Sequence, residues 1–155
     1  MTQNLIIRKC TISEIENASN IDNILKEYAE ESSVKKLPSP LAKADTYKHL
    51  ESLEAIHIVG AFVNKLLVGY IISFAPVMPH YSSRIAVTES FFVLKEYRKT
   101  GAGLKLLKEA EQYSINAEAI GLFVSAPIGG VLAEVLPNVG YEETNRVFFK
   151  RFSNE

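Results

Sequence analysis

Arg98, Gly101 and Gly103, in the run Arg-Lys-Thr-Gly-Ala-Gly, are the residues of this 155-residue chain whose types and spacing best suit a chemical task. Before them, residues 86–94 (AVTESFFVL) are rich in β-branched and aromatic side chains and read as a buried strand. After them, Leu104, Leu107 and Ala110 recur at helical spacing, with Lys105, Lys108, Glu109, Glu111 and Gln112 on the other side. A strand, a glycine turn and a helix N-terminus with a cation at the entrance suit a bound phosphate. The first amides of a helix have no internal partner and carry the positive end of its dipole. Glycines let the backbone close on the anion with no Cβ in the way.

Three known phosphate loops compete for this stretch. A Walker loop needs Lys-Ser/Thr after its last glycine, and Gly103 is followed by Leu104-Lys105. A dinucleotide-binding turn needs a third glycine where Leu106 stands. The third, Arg/Gln-x-x-Gly-x-Gly/Ala, fits fully. The wider run Val93-x-x-Glu-Tyr-Arg-x-x-Gly-x-Gly-Leu-x-Leu-Leu resembles the acetyl-CoA signature of the GCN5-related N-acetyltransferases, the GNAT superfamily. The competing reading is a βα turn whose glycines serve only close packing.

The elements that must position this turn follow from pattern. Residues 4–10 read as a first strand, and Thr11-Ile-Ser-Glu14 as a capping box. Ile12, Ile15, Ala18, Ile21, Leu25 and Tyr28 form a helical stripe, broken near Ser19-Asn20. Glu27, Glu30 and Glu31 near its end either draw a cationic substrate or form a solvated face. Residues 32–44 read as a long loop, and Asp45 as the N-cap of a short helix. Residues 56–63 and 66–74 read as a hairpin about Asn64-Lys65, apolar on both faces and therefore central. The loop 76–84 delivers His80, Tyr81 and Arg84 to one end of the sheet, as acceptor-side groups or as ordinary surface residues. Residues 120–126 read as a buried strand, 127–136 as a short helical segment opened by Pro127-Ile-Gly-Gly130 and ended by Pro137, and 147–152 as a closing strand. The order is α/β with a mixed sheet. It matches the GNAT order, which implies a GNAT fold: a mixed central sheet of six to seven strands flanked by about four helices, in one domain over residues 1–155.

Composition narrows the class. Hydrophobic residues make up 47% and charged residues 23%, ordinary for a globular domain, and the net charge of −1 gives no basic field for bulk nucleic acid. A single cysteine, Cys10, cannot form an internal disulfide and reads as a core residue. With no apolar run of membrane-spanning length and no signal-peptide pattern at the start, the expectation is a cytoplasmic protein with no membrane partner.

The resemblance also implies roles. Acetyl-CoA is the co-substrate, with no metal. Phe91, Phe92 and Val93 belong to the strand that meets the pantetheine arm through its backbone. Arg98, Lys99, Thr100, Gly101, Ala102, Gly103 and Leu104 wrap the pyrophosphate, with Thr100 also placed to cap the helix. A primary amine, on a small molecule or a protein, attacks the thioester directly. Glu89, where several family members carry a carboxylate, is the candidate general base. Strand alternation puts it among Val87, Phe91 and Val93, where burial would tune it; the alternative is a structural pair with Arg84. The family's usual tyrosine acid is replaced by Leu136, which leaves Tyr81, Ser125 or water to protonate the thiolate. Family members often dimerise, so a homodimer involving the C-terminal strand is implied. The rival from another class is a non-catalytic acyl-CoA-binding or sensing module, kept alive by Leu136. A third is an α/β domain without a CoA site.

Overall fold

The computed structural model describes residues 4–32, 34, 37–38 and 40–152, so Ser33, Lys35, Lys36 and Ser39 of the expected 32–44 loop lie outside the described residues. The first strand, β1 (Leu5–Lys9), is followed after Cys10 by Thr11, which caps the first helix, α1 (Ile12–Glu16). Its hydroxyl accepts from the Glu14 amide at 3.1 Å, and the Glu14 carboxylate accepts from the Thr11 amide at 3.3 Å. The capping box is thus complete on both sides. After a break, α2 (Ile21–Glu31) follows, then α3 (Ala44–Ser52). The N-cap of α3 is Lys43 rather than the expected Asp45, which sits in the first turn where its charge still favours the helix dipole.

Asn64 and Lys65 both take positive φ, 49° and 70°. That matches the right-handed twist of the flanking strands and joins β2 (His57–Val63) to β3 (Leu66–Phe74) as a tight hairpin. The 76–84 loop is more ordered than expected. It forms a small hairpin, β4 (Val77–Met78) with β5 (Ser83–Arg84), around a 3-10 turn at Pro79–Tyr81. Next come β6 (Ala86–Val93), a 3-10 turn at Lys95–Thr100 and α4 (Ala102–Asn116). The chain continues through β7 (Leu122–Phe123) and α5 (Val131–Val135). Pro137 does not stop this last helix but sits in the 3-10 turn that extends it, Leu136–Val139.

The main sheet runs β1-β2-β3-β6-β7, antiparallel except for the parallel pair β6–β7, and β4–β5 form a separate ribbon. Five strands plus two make the mixed α/β architecture expected. Its middle is covered on both faces. Val59, Ala61, Val68 and Ile71 pack against Ala102, Leu106, Leu107 and Ala110 of α4. On the other face Ile58, Tyr70, Ile72 and Phe92 pack against Ile12, Ile15 and Ile24. The α4 stripe therefore includes Leu106, while Leu104 is exposed, contrary to the sequence reading. Cys10 is buried in the second cluster, and burial pushes its thiol up to about 12, so it is a core residue with almost no thiolate. Among the described residues, no helix is long and apolar enough to cross a membrane.

Two expected strands change. Residues 120–126 keep only the two-residue β7, because the parallel ladder stops at Phe123 as β6 and β7 diverge. Residues 147–152 form no strand: Val147, Phe148 and Phe152 are 88%, 89% and 93% exposed. Strand propensity is largely packing against a neighbour, and among the described residues no strand pairs with this segment.

Candidate active site

The divergence of β6 from β7 creates the site. Only Ala86 and Val87 pair with β7, at Leu122 and Phe123; one further bridge, from the Ser125 amide to Thr88 Oγ1, spans 3.4 Å. Beyond it β6 keeps β3 on one side and has an open edge on the other. The Leu94 amide donates to Val68 O on the β3 side, so alternation turns the amides of Phe91 and Val93 to the open edge.

Glu89 sits in a β-bulge. Ile72 pairs with Ser90 and the next residue, Ser73, with Thr88, which leaves Glu89 as the extra, unpaired residue. The bulge breaks the alternation that would have put Glu89 among Val87, Phe91 and Val93. Its side chain is exposed rather than buried, so the argument from desolvation does not hold. Instead, hydroxyls hold the carboxylate from both sides: Oε1 accepts from Tyr47 at 2.7 Å and Oε2 from Ser90 at 2.6 Å. Arg84, its expected structural partner, donates to the Ala75 carbonyl. Burial, reinforced by Glu89, pushes the Tyr47 phenol above its ordinary value against the opposing pull of Ser90, so it stays a protonated donor. Tyr28 reaches the open edge, where its hydroxyl accepts from the Phe91 amide at 3.2 Å. Tyr70 lies fully buried, its hydroxyl without a partner among the described residues, with Tyr28, Tyr47 and Glu89 as its electrostatic neighbours.

The glycine turn keeps its expected form. Gly101 has φ +87°, which only glycine adopts without strain. Thr100 Oγ1 accepts from the Ala102 amide at 3.2 Å, and the helical ladder begins with Lys105 donating to Gly101 O at 3.1 Å. That leaves the amides of Gly103 and Leu104 without an acceptor among the described residues. Gly103 is the informative position. A Cβ built there would meet only Val93 Cγ2, at 3.8 Å, an ordinary contact. Among the described residues nothing requires glycine at this point, so the missing Cβ leaves open space. Free amides, an unfilled approach and a cation fit the pyrophosphate of an acyl-CoA.

Arg98 is tethered beside that turn. Its Nε donates to Val93 O at 2.9 Å, its Nη2 pairs with Glu31 at 2.7 Å, and its guanidinium carbon lies 5.5 Å from the centre of the Phe92 ring. Glu27, one turn earlier on α2, accepts from the Lys95 amide at 3.1 Å. Glu27 and Glu31 thus brace the end of β6, a role the sequence reading did not assign them. A cleft of about 1020 Å³ opens beside Glu89 between α3, the ends of β3 and α4, Pro38 and residues 40–43.

The structure brings Glu89 together with residues 91–93 and the 98–104 turn along one strand and its continuation. It does not bring Tyr81 to Glu89. That phenol stands edge-on to His80 and 6.2 Å from the Phe123 ring, outside the cleft lining, where β6 and β7 still pair. Leu136 is buried in the α4-side core. Sequence reading missed Tyr47, Ser90 and Tyr28 as site residues; their only signal was a hydroxyl among apolar positions. Among the described residues, no three His, Cys, Asp or Glu side chains cluster as metal ligands.

Residues 20–129 match the acetyltransferase (GNAT) family. The chain belongs to that family of N-acetyltransferases. No curated protein matched it by sequence. Its fold is similar to that of the aminoglycoside N-acetyltransferase AAC(6')-Iy in complex with CoA, at 18% identity and TM-score 0.76 over 97% of this chain and 96% of that one. It is similar to a ribosomal-protein-alanine N-acetyltransferase from Brucella melitensis biovar Abortus 2308, at 17% identity and TM-score 0.70 over 97% and 100%. A third likeness is the aminoglycoside acetyltransferase meta-AAC0020 from an uncultured soil metagenomic sample, in complex with sisomicin, at 14% identity and TM-score 0.72 over 97% of each chain.

Proposed function

We propose that the chain, read as one domain over residues 1–155, transfers an acetyl group from acetyl-CoA to a primary amine by direct attack in a ternary complex. The observation that carries this reading is Gly103, a glycine the protein does not need, beside two free amides at the start of α4. In this reading the amides from about Thr100 to Leu104, with Arg98 and Lys99, hold the pyrophosphate. The open edge at Phe91, Phe92 and Val93 takes the pantetheine arm, for which the Tyr28 hydroxyl must yield the Phe91 amide. An alkylammonium has a pKa near ~10.4, so only about one molecule in a few thousand is neutral at pH 7. Glu89 takes its proton, directly or through water. The amine nitrogen then bonds to the acyl carbon as the carbon–sulfur bond breaks, and the nitrogen gives up its second proton to water. Tyr47 and Ser90 hold the carboxylate in place. The thiolate, whose pKa is near ~8.5, is a tolerable leaving group, and water relays the second nitrogen proton to it.

A thermal-shift titration with acetyl-CoA, CoA and longer acyl-CoAs tests the cofactor site. At about 100 times its dissociation constant a ligand stabilises the fold by ~2.7 kcal/mol, a shift of several degrees at this size. No shift with any of them refutes the reading. A saturating shift without acetyl transfer to any amine leaves the acyl-CoA sensing module.

The exposed C-terminal segment supports a homodimer in this reading. Phe148, Phe149 and Phe152 are strand-type residues exposed together, and a second copy covers them. Light scattering should give twice the chain mass at micromolar concentration, and Phe148→Ser with Phe149→Ser should return it to one chain. A monomer at every concentration removes the dimer.

A further inference from the structure

The cleft beside Glu89 has walls of one kind and a rim of another. Tyr47 and Leu50 of α3, Ile56 ahead of β2, Phe74 and Pro76 at the end of β3, and Tyr113 of α4 are half-buried around it. The other charged residues of its lining, Lys43, Glu54, Arg84 and Glu118, are all exposed, two of each sign. The rim therefore offers no net attraction to a polycation. The walls offer few hydrogen-bonding groups to a ring rich in hydroxyls, and the Tyr47 hydroxyl already serves Glu89. Within the cleft Glu89 is the one carboxylate fixed by two hydroxyls, so it can orient a single ammonium. The Tyr113 ring is itself held flat by His57, stacked at 4.5 Å and 1°, which gives one wall a rigid aromatic support.

Resting on the acetyl-transfer reading above, we propose that the acceptor is a primary amine on an apolar, ring-bearing body, an arylalkylamine, rather than a polyhydroxylated aminosugar. One ammonium meets Glu89 while the ring lies on Leu50, Ile56, Phe74 and Tyr113. Apolar walls with a few placed polar groups are the ordinary design of a small-molecule site, and about 1020 Å³ is ample for such a body.

The test measures thiol release from acetyl-CoA with tryptamine, 2-phenylethylamine, spermidine and sisomicin. The two arylalkylamines should show kcat/KM at least tenfold above the other two. Leu50→Asn should raise KM for tryptamine at least tenfold while the acetyl-CoA thermal shift stays as in the wild type, and Leu50→Met should restore it. A preference for sisomicin or spermidine, or equal rates across the panel, overturns the inference. The wild-type panel decides alone if Leu50→Asn folds poorly. If acetyl-CoA binds but no amine is acetylated, the transfer reading fails; calorimetry of tryptamine with the CoA-loaded protein then decides the cleft. Saturable binding lost in Leu50→Asn keeps an arylalkylamine site, and no binding overturns it. If acetyl-CoA itself does not bind, calorimetry of tryptamine with the free protein decides the cleft in the same way.

Discussion

Replacing Glu89 with glutamine should lower kcat/KM at pH 7 by about 10²-fold or more, the usual worth of a positioned general base, and by much less near pH 10. The sign follows from the amine. At neutral pH nearly every acceptor carries the proton that must leave; near pH 10 a large share has lost it to solvent. The fold should tolerate the change, because Glu89 is an exposed bulge residue and surface substitutions usually cost under about 0.5 kcal/mol. Glutamine keeps a carbonyl oxygen for the Tyr47 hydroxyl, meets Ser90 with an NH2 that donates to its hydroxyl instead of accepting from it, and loses the proton acceptor. A companion variant, Tyr47→Phe, removes one of the two hydroxyls that aim the carboxylate and should produce a smaller loss with the same pH trend. Equal loss from pH 7 to pH 10 would mean that Glu89 orients substrate and takes no proton.

Gly103→Ala should move stability and ligand binding in opposite directions. Alanine costs less than glycine in a helix, by roughly 0.5–1 kcal/mol, so the melting temperature should hold or rise by a few degrees. The new Cβ meets only Val93 Cγ2 at 3.8 Å within the protein. Yet in the proposed site it fills the approach to the free amides of Gly103 and Leu104, so acetyl-CoA affinity should fall tenfold or more by titration calorimetry. Gly101→Ala gives the contrast. At φ +87° any side chain is strained, so that variant should lose about 1–2 kcal/mol of stability before any ligand is considered. A Gly103→Ala protein that binds acetyl-CoA as tightly as the wild type would place the pyrophosphate elsewhere.

The parts legible in the sequence were those decided by near neighbours. Arg98, Gly101 and Gly103 lie within one turn of chain, and their spacing pointed to the family and to the phosphate site proposed here. The Thr11–Glu14 capping box spans four residues, and the Asn64-Lys65 turn two, so each could be read before any packing was known. The apolar runs of β2 and β3 announced a sheet covered on both faces, because burial on both sides demands apolar residues at nearly every position.

Tertiary structure alone decided what Glu89 is. A bulge depends on register against β3, which no periodicity within β6 encodes; one extra residue turned an expected buried carboxylate into an exposed one. The partners that define the site arrive from far along the chain: Tyr47 from 42 residues before Glu89, Tyr28 from 63 before Phe91, Glu31 from 67 before Arg98. Residues 147–152 show the converse. Their side chains are suited to a strand, but a strand exists only where another edge accepts its hydrogen bonds, and composition cannot supply that edge. Local spacing thus determined the turn, the hairpin and the family, because those energies are local. The surroundings of Glu89, the cleft beside it and the fate of the last segment were settled by contacts between residues that only folding brings together.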